Sequence, residues 1–325
     1  MRITAAGSLP GTDFRGALVA MAESLPGMVP WPELPARGVG SGMVGRALGL
    51  IDTLSFDLQP AGWRLVPGFS RDQARAQAQW RSDLDDAEEL LQGFTGVLKV
   101  GVAGPWTLAG SVERPMGDRL LADHGARREL AGALADAVSG LRAELTRRLP
   151  GVTVWVQVDE PLLVAVSRGE LATSSGFSKH RGVDASELTA ALKPFAAGAV
   201  LHCCAAGDWL PAARAAGFEA VAVDTRLFDG TLALDRLGQW LAEGRSLVAG
   251  VVDTTTSAVR PADALVREAL RVLRPLELDP GLLLERVDLG TGCGLAGWRQ
   301  PDVLPQLANL RRAADLLAEQ LVDHR

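Results

Sequence analysis

The sequence has little cysteine, almost no lysine and no long apolar run. Its three cysteines, Cys203, Cys204 and Cys293, are too few for a disulfide framework and fit a cytoplasmic setting with free thiols. No stretch approaches the ~18 apolar residues of a membrane span. The opening segment MRITAAGSLPGTDF has no long apolar core ahead of a cleavage site. Neither a membrane partner nor a signal peptide is therefore expected. Of 33 basic residues, 30 are Arg and 3 are Lys, scattered among 39 acids, and the net charge is −6. No basic patch results, which argues against a nucleic-acid partner. What remains is a globular chain of 325 residues, 47% hydrophobic and 22% charged. It is long enough for one large domain or two ordinary ones with a sizeable core.

Short β-rich runs alternate with helical stretches along the whole length. The expected strands are 3–6, 54–58, 97–102, 152–158, 199–203, 220–223, 247–252 and 287–289. Most are continuously apolar, which suits strands buried on both faces of a parallel sheet. A helix over 70–92 opens on Ser70 with Gln73 three residues on, a capping-box pattern. A second, over 126–148, carries Leu130, Leu134, Ala137, Leu141 and Leu145 on one face. Asp184 with Glu187 opens another, and Pro261 and Pro301 sit where first helical turns tolerate proline. Eight strand–helix units predict an α/β fold, a (β/α)8 TIM barrel forming a single domain over 1–325. Residues 26–49, rich in Gly and Pro, read as an early loop insertion over one barrel end. Residues 167–182 read as a mobile lid. An open doubly wound sheet is the alternative.

Barrel chemistry belongs at the C-terminal strand ends, and polar or special residues gather there. The first strand runs into Gly7-Ser8-Leu9-Pro10, and the third into Gly104-Pro105-Trp106-Thr107. The fourth ends in Gln157-Val158-Asp159-Glu160-Pro161, and the fifth in His202-Cys203-Cys204. The sixth ends at Asp224, the seventh at Asp253, and the eighth leads to Cys293. Residues i and i+2 of a strand share a face, so His202 and Cys204 point together and Cys203 points away. With Asp224 and Cys293 they make a sound Zn²⁺ donor set. Small buried core residues are the other reading of the same pattern, since free cysteine is often buried and inert. His124 and His180 have no partner motif and read as surface residues. Trp31, Trp63, Trp106 and Trp298 fit core packing better than stacking on a ligand. Gly38 to Gly42 is a weak phosphate signal, lacking a preceding strand and a Walker lysine. Glu160 reads equally as a structural neighbour of Asp159 or as a pocket residue.

Taken in order, Gly7-Ser8-Leu9-Pro10, Gly104-Pro105-Trp106-Thr107, Gln157-Val158-Asp159-Glu160-Pro161, His202-Cys203-Cys204 and Cys293-Gly294-Leu295 give the chain a family likeness. It resembles the C-terminal, zinc-binding barrel of cobalamin-independent methionine synthase, in a uroporphyrinogen decarboxylase/methionine synthase-like fold. The resemblance implies a zinc-dependent methyltransferase that methylates the thiol of homocysteine or a related thiol. It implies zinc held by His202, Cys204 and Cys293, with Asp224 in the place of the family's glutamate ligand. It implies Ser8 at the substrate carboxylate and Asp159 at the ammonium. Glu33, in WPELPARG, is the candidate for the family's second acid.

Three departures bear on the methyl donor. The family enzyme has two barrels, the second helping to hold folate, and this chain is long enough for one. Asp224 is one methylene shorter than glutamate. The family's Asp-x-His on the seventh strand reads Asp253-Thr254-Thr255 here, and threonine cannot serve as a general acid near neutral pH. Asp253, able to order water, is the remaining catalytic candidate there. The expected donor is therefore methylcobalamin or a corrinoid protein before methyltetrahydrofolate. The competing functions are a corrinoid-linked methyltransferase or a uroporphyrinogen decarboxylase-like enzyme, the latter with no metal and an arginine-lined pocket, and a non-catalytic zinc- or thiol-binding homologue.

Overall fold

Seven strands form one parallel sheet in a computed structural model that describes residues 1–323. The strands are β1 (Met28–Pro30), β4 (Gly96–Ala103), β5 (Val152–Asp159), β6 (Ala199–Cys203), β7 (Ala220–Asp224), β8 (Ser246–Val252) and β9 (Val287–Thr291), paired in that order. Two more, β2 (Ser55–Gln59) and β3 (Gly62–Val66), form a separate antiparallel hairpin. The sheet curls, because the N-terminal segment reaches both of its edges. Ile3 bridges Leu289 of β9, and Ser8 bridges Glu33 just beyond β1. Helices such as Arg71–Leu90, His124–Arg148 and Gln300–Asp323 lie between or after the strands. Their apolar faces join the outer face of the sheet in one large core. A small second cluster of Val200, Ala220, Ala222 and Val248, with Trp155 against it, fills the other face. None of the described helices is long and apolar enough to cross a membrane.

The apolar runs from 97 onward form strands at the expected places, because both faces are covered and nearly every residue is buried. The early chain differs. The run at 54–58 is not in the parallel sheet. Its sequence, Leu-Ser-Phe-Asp-Leu, alternates apolar with polar, the mark of a one-sided antiparallel strand, and Ser55–Gln59 pairs with β3. Its place in the sheet is taken by Met28–Pro30, inside the segment expected to be a loop. That segment also contains two single 3-10 turns and the helix Met43–Leu50. A three-residue strand ending in proline carries too little periodicity to be read from sequence.

Gln73 shows why the hairpin sits where it does. The helix N-cap forms as expected, Gln73 N–H donating to Ser70 Oγ at 3.3 Å. The reciprocal half of the capping box does not. The buried Gln73 amide instead donates to the carbonyls of Leu48 (3.0 Å), Ile51 (2.7 Å) and Leu54 (2.9 Å), and accepts from Phe56 N–H at 3.1 Å. One side chain thus satisfies four backbone groups that no ladder could reach.

Residues 167–182 form a short, internally bonded excursion. Ala172 and Lys179 bridge, and Ser174 N–H donates to Asp118 at 3.1 Å. His180, expected at the surface, is buried beneath it with Nε2 3.2 Å from Asp118. His124 is exposed, as its sequence context suggested.

Candidate active site

Strand register brings the first two site residues together. Asp159, last in β5, lies opposite His202 of β6, and its Oδ1 is 2.8 Å from His202 Nδ1. The same oxygen accepts from Gln157 Nε2 at 2.7 Å. Gln157 Oε1 accepts in turn from the buried Lys99 Nζ, which also donates to the Ala5 carbonyl at 2.8 Å. Lys99, Gln157, Asp159 and His202 are therefore one hydrogen-bonded chain across three adjacent strands. Burial pulls the Lys99 ammonium down to about 8, with the Asp159 charge opposing. Burial also disfavours a charged His202, but the Asp159 hydrogen bond and charge outweigh it and raise His202 above its ordinary value.

Cys204 follows β6 on the His202 face, and Cys293 arrives from the turn after β9. Their sulfurs lie 3.4 Å apart. Cys203 faces the other way into the main core, where burial pushes its thiol up to about 12. The hydrogen bond between the two sulfurs, helped by His202 and the Gly294 N–H, brings Cys293 down to about 6 against its burial. Cys204 moves up, chiefly through the same bond and then through burial. The shared hydrogen bond thus favours the loss of one proton from the pair. One ligand atom each from His202, Cys204 and Cys293 falls within 4.8 Å of the others. Two sulfurs and an imidazole suit a soft divalent ion such as zinc, at ~2.0–2.3 Å. Asp159 on Nδ1 fixes the imidazole as metal-bound histidines are commonly fixed, and the other nitrogen, Nε2, faces the Gly292 carbonyl at 3.3 Å on the side of Cys293.

Asp224 is not among the clustered ligand atoms. It is buried at the end of β7 and packs against Gly292, where a Cβ would come within 2.9 Å of its carboxyl carbon. Its oxygens are held by Arg226, at 3.0 Å from Nε and 2.5 Å from Nη2. It lies outside the three-residue cluster, because a guanidinium two residues away competes for a short side chain. Asp253 is drawn to the same arginine and accepts from Thr255 N–H at 2.9 Å and Oγ1 at 2.6 Å. Burial opposes its charge, but Thr255 and Arg226 prevail and hold it below the usual carboxylate range. An acid so held is ionised at neutral pH and is a poor proton donor.

The cluster opens on a cavity of about 310 Å³. Ser8, Glu33, Asp159, His202, Cys204 and Cys293 all line it, whereas Asp224 and Asp253 do not. Burial raises the Glu33 carboxyl above its ordinary value, although Arg46 and Ser8 oppose the shift. Asp159 packs its Oδ2 toward Gly101, where a Cβ would sit 3.0 Å away. That oxygen faces space only a glycine leaves. Of the tryptophans, Trp31 lines the cavity, and Trp63, Trp106 and Trp298 are buried in the core. Arg46 and Lys99 were not singled out from sequence, and Gln157 entered only as part of a motif. A lysine inside an apolar strand was the one visible signal among them.

Glu160 is a structural residue. It accepts from Trp106 N–H (2.9 Å), Thr107 N–H (2.7 Å) and Thr107 Oγ1 (2.7 Å), at the start of the helix Pro105–Ser111. Gly104 is required beside it, since a Cβ there would lie 2.3 Å from Glu160 Oε1. Burial raises this carboxyl from 4.5 to about 7, against its three donors. A raised acid stabilises the fold below its unfolded pKa, and that contribution is lost as pH rises through the folded value. The melting-temperature advantage of the wild type over Glu160→Gln should therefore shrink between pH 4.5 and about 7. An advantage that grows with pH over this window refutes the assignment.

Residues 115–316 match the family model described as the catalytic domain of cobalamin-independent synthase. That is more than half of the chain. The chain belongs to this family. The match spans Asp159, the His202, Cys204 and Cys293 cluster, Asp224 and Asp253, and leaves Ser8 and Glu33 outside. None of the curated proteins compared with it matches. Among solved structures it is similar to a B12-independent methionine synthase from Shewanella sp. W3-18-1 in complex with selenomethionine. That likeness has 14% identity, covers 99% of each chain and has a TM-score of 0.63. At that identity it speaks for the fold. The family's independence of cobalamin removes the preference for a corrinoid donor.

Proposed function

We propose that this protein is a zinc-dependent methyltransferase that moves a methyl group from methyltetrahydrofolate to the thiol of homocysteine, forming methionine. The observation that carries the reading is the His202, Cys204 and Cys293 cluster opening on the same cavity as Ser8, Glu33 and Asp159. A donor set for a thiolate-binding metal and a set of groups for an amino acid share one space.

In this reading the fold is a single-domain (β/α)8 barrel, with residues 3–8 as the strand that closes it between β9 and the stretch after β1. A single barrel is no obstacle, because a solved B12-independent methionine synthase is covered end to end by this chain. A cytoplasmic location fits its free thiols.

Bound zinc would lower the pKa of a substrate thiol and keep it as a nucleophilic thiolate. His202, Cys204 and Cys293 would hold that ion, with Asp159 keeping the imidazole in register. Asp224, held by Arg226, would be an exchangeable fourth ligand. The free oxygen of Asp159, with Glu33, receives the substrate ammonium, and Ser8 its carboxylate. Fixing the amino-acid end would orient the thiol toward these three residues, an entropic advantage. Asp253, held ionised, can order water beside the donor. It leaves protonation of the departing folate nitrogen to that water.

The test is the purified protein with homocysteine and each donor in turn, alongside metal analysis. Turnover with methyltetrahydrofolate and about one zinc per chain are expected. Turnover with methylcobalamin alone would restore the corrinoid reading. Metal-free protein with no turnover on either donor would refute the reading.

A further inference from the structure

Arg46 is the cavity's unassigned charge. It is the only lysine or arginine among the lining residues, and it is 7% exposed. Three contacts fix it. Its Nη1 donates to Glu33 Oε2 at 3.1 Å. Its guanidinium carbon lies 4.5 Å from the centre of the Trp80 ring. Its carbonyl accepts from Trp80 Nε1 at 2.8 Å. Yet Nη2, equally buried, has no hydrogen-bond partner. A buried charged donor left unpaired is costly, and the surroundings do not relieve the cost. The cleft behind Arg46, toward Ala76 and Asp83, has about 10 Å³, room for one water at most. The room for a larger acceptor is the main cavity, about 310 Å³.

The acceptor's chemistry follows from the neighbours. Glu33 and Asp159 supply two acids for a cation. A ligand that satisfied only these would leave Nη2 bare. A zwitterion with a planar anion beside its ammonium answers both needs. A guanidinium donates to carboxylates along its edges, so one edge can hold Glu33 while the remaining N–H groups meet the ligand.

We propose that Arg46 is a specificity-determining residue that reads the carboxylate of an amino-acid thiol, restricting the site to substrates that carry both charges. This rests on the thiol-methylation reading above and adds to the role given there to Ser8.

Titration calorimetry on the metal-loaded protein tests it. The ligands are homocysteine and its decarboxylated analogue, which keeps the thiol and the amine. The wild type should bind homocysteine roughly 10- to 150-fold more tightly, the worth of a hydrogen bond to a charged group. In Arg46→Met that ratio should fall to near one, whatever the loss of the Glu33 ion pair does to both ligands through their shared amine. An unchanged ratio in the variant overturns the proposal. So does a wild type that binds both ligands alike. If Arg46→Met does not fold, Arg46→Lys keeps the charge but loses the fork. Its ratio should fall to an intermediate value, and an unchanged one counts against the proposal. Failure of the wild type to bind either thiol overturns the thiol reading itself, and this proposal with it.

Discussion

Cys293→Ser should strip the protein of its metal, and Cys203→Ser should leave it loaded. The two residues differ in what surrounds them. Cys293 lies 3.4 Å from Cys204, beside His202, and is brought down to about 6. It shares a hydrogen bond with the other thiol of the set, an arrangement that eases loss of the proton a metal must displace. Cys203 is adjacent to Cys204 in sequence but faces the main core, with its thiol pushed up to about 12. Serine at 293 replaces a soft, ionisable donor with a hard, neutral hydroxyl. Loss of a supporting group around a metal site costs about 10- to 100-fold in affinity, and loss of a ligand should exceed that. Methyl transfer should fall with the metal. Elemental analysis of the two purified variants decides the matter, with circular dichroism to check folding. Retained zinc in Cys293→Ser, or lost zinc in folded Cys203→Ser, would remove the basis for the metal centre.

The opposite fates of neighbouring cysteines were legible without a structure, because strand alternation is a local rule. So were the strands from 97 onward, whose unbroken apolar runs match burial on both faces. The early chain was not. Met28–Pro30 is a sheet strand only because β4 lies beside it, and nothing local announces that. Arg46 was hidden for the same reason, on the helix Met43–Leu50 within residues that read as a glycine-rich loop. Asp224 shows another limit. Its position at the end of β7 was correct, but its direction depends on Arg226, a competition between side chains that spacing does not encode. Lys99 could have been noticed. A lysine inside Val-Leu-Lys-Val, in a chain with so few, needs a buried partner, and it has one in Gln157.

Asp159→Asn should separate the two duties that the proposed function gives this residue. The substitution is nearly isosteric. The asparagine carbonyl can still accept from Gln157 and His202, as Oδ1 does now, so the imidazole keeps its orientation. The other oxygen, toward Gly101, becomes an amide that donates and cannot receive an ammonium. Homocysteine should then bind roughly 10- to 150-fold more weakly, the range for losing a charge-assisted hydrogen bond. A simple alkanethiol has no ammonium to lose. It should weaken only as far as the missing negative charge loosens the metal site through His202, and zinc content measured in the same sample reports that part separately. The excess loss for homocysteine, taken at equal zinc content, is the quantity that bears on the amino-acid site. An excess near zero would mean that Asp159 serves His202 alone, and would leave Glu33 as the acid facing the ammonium.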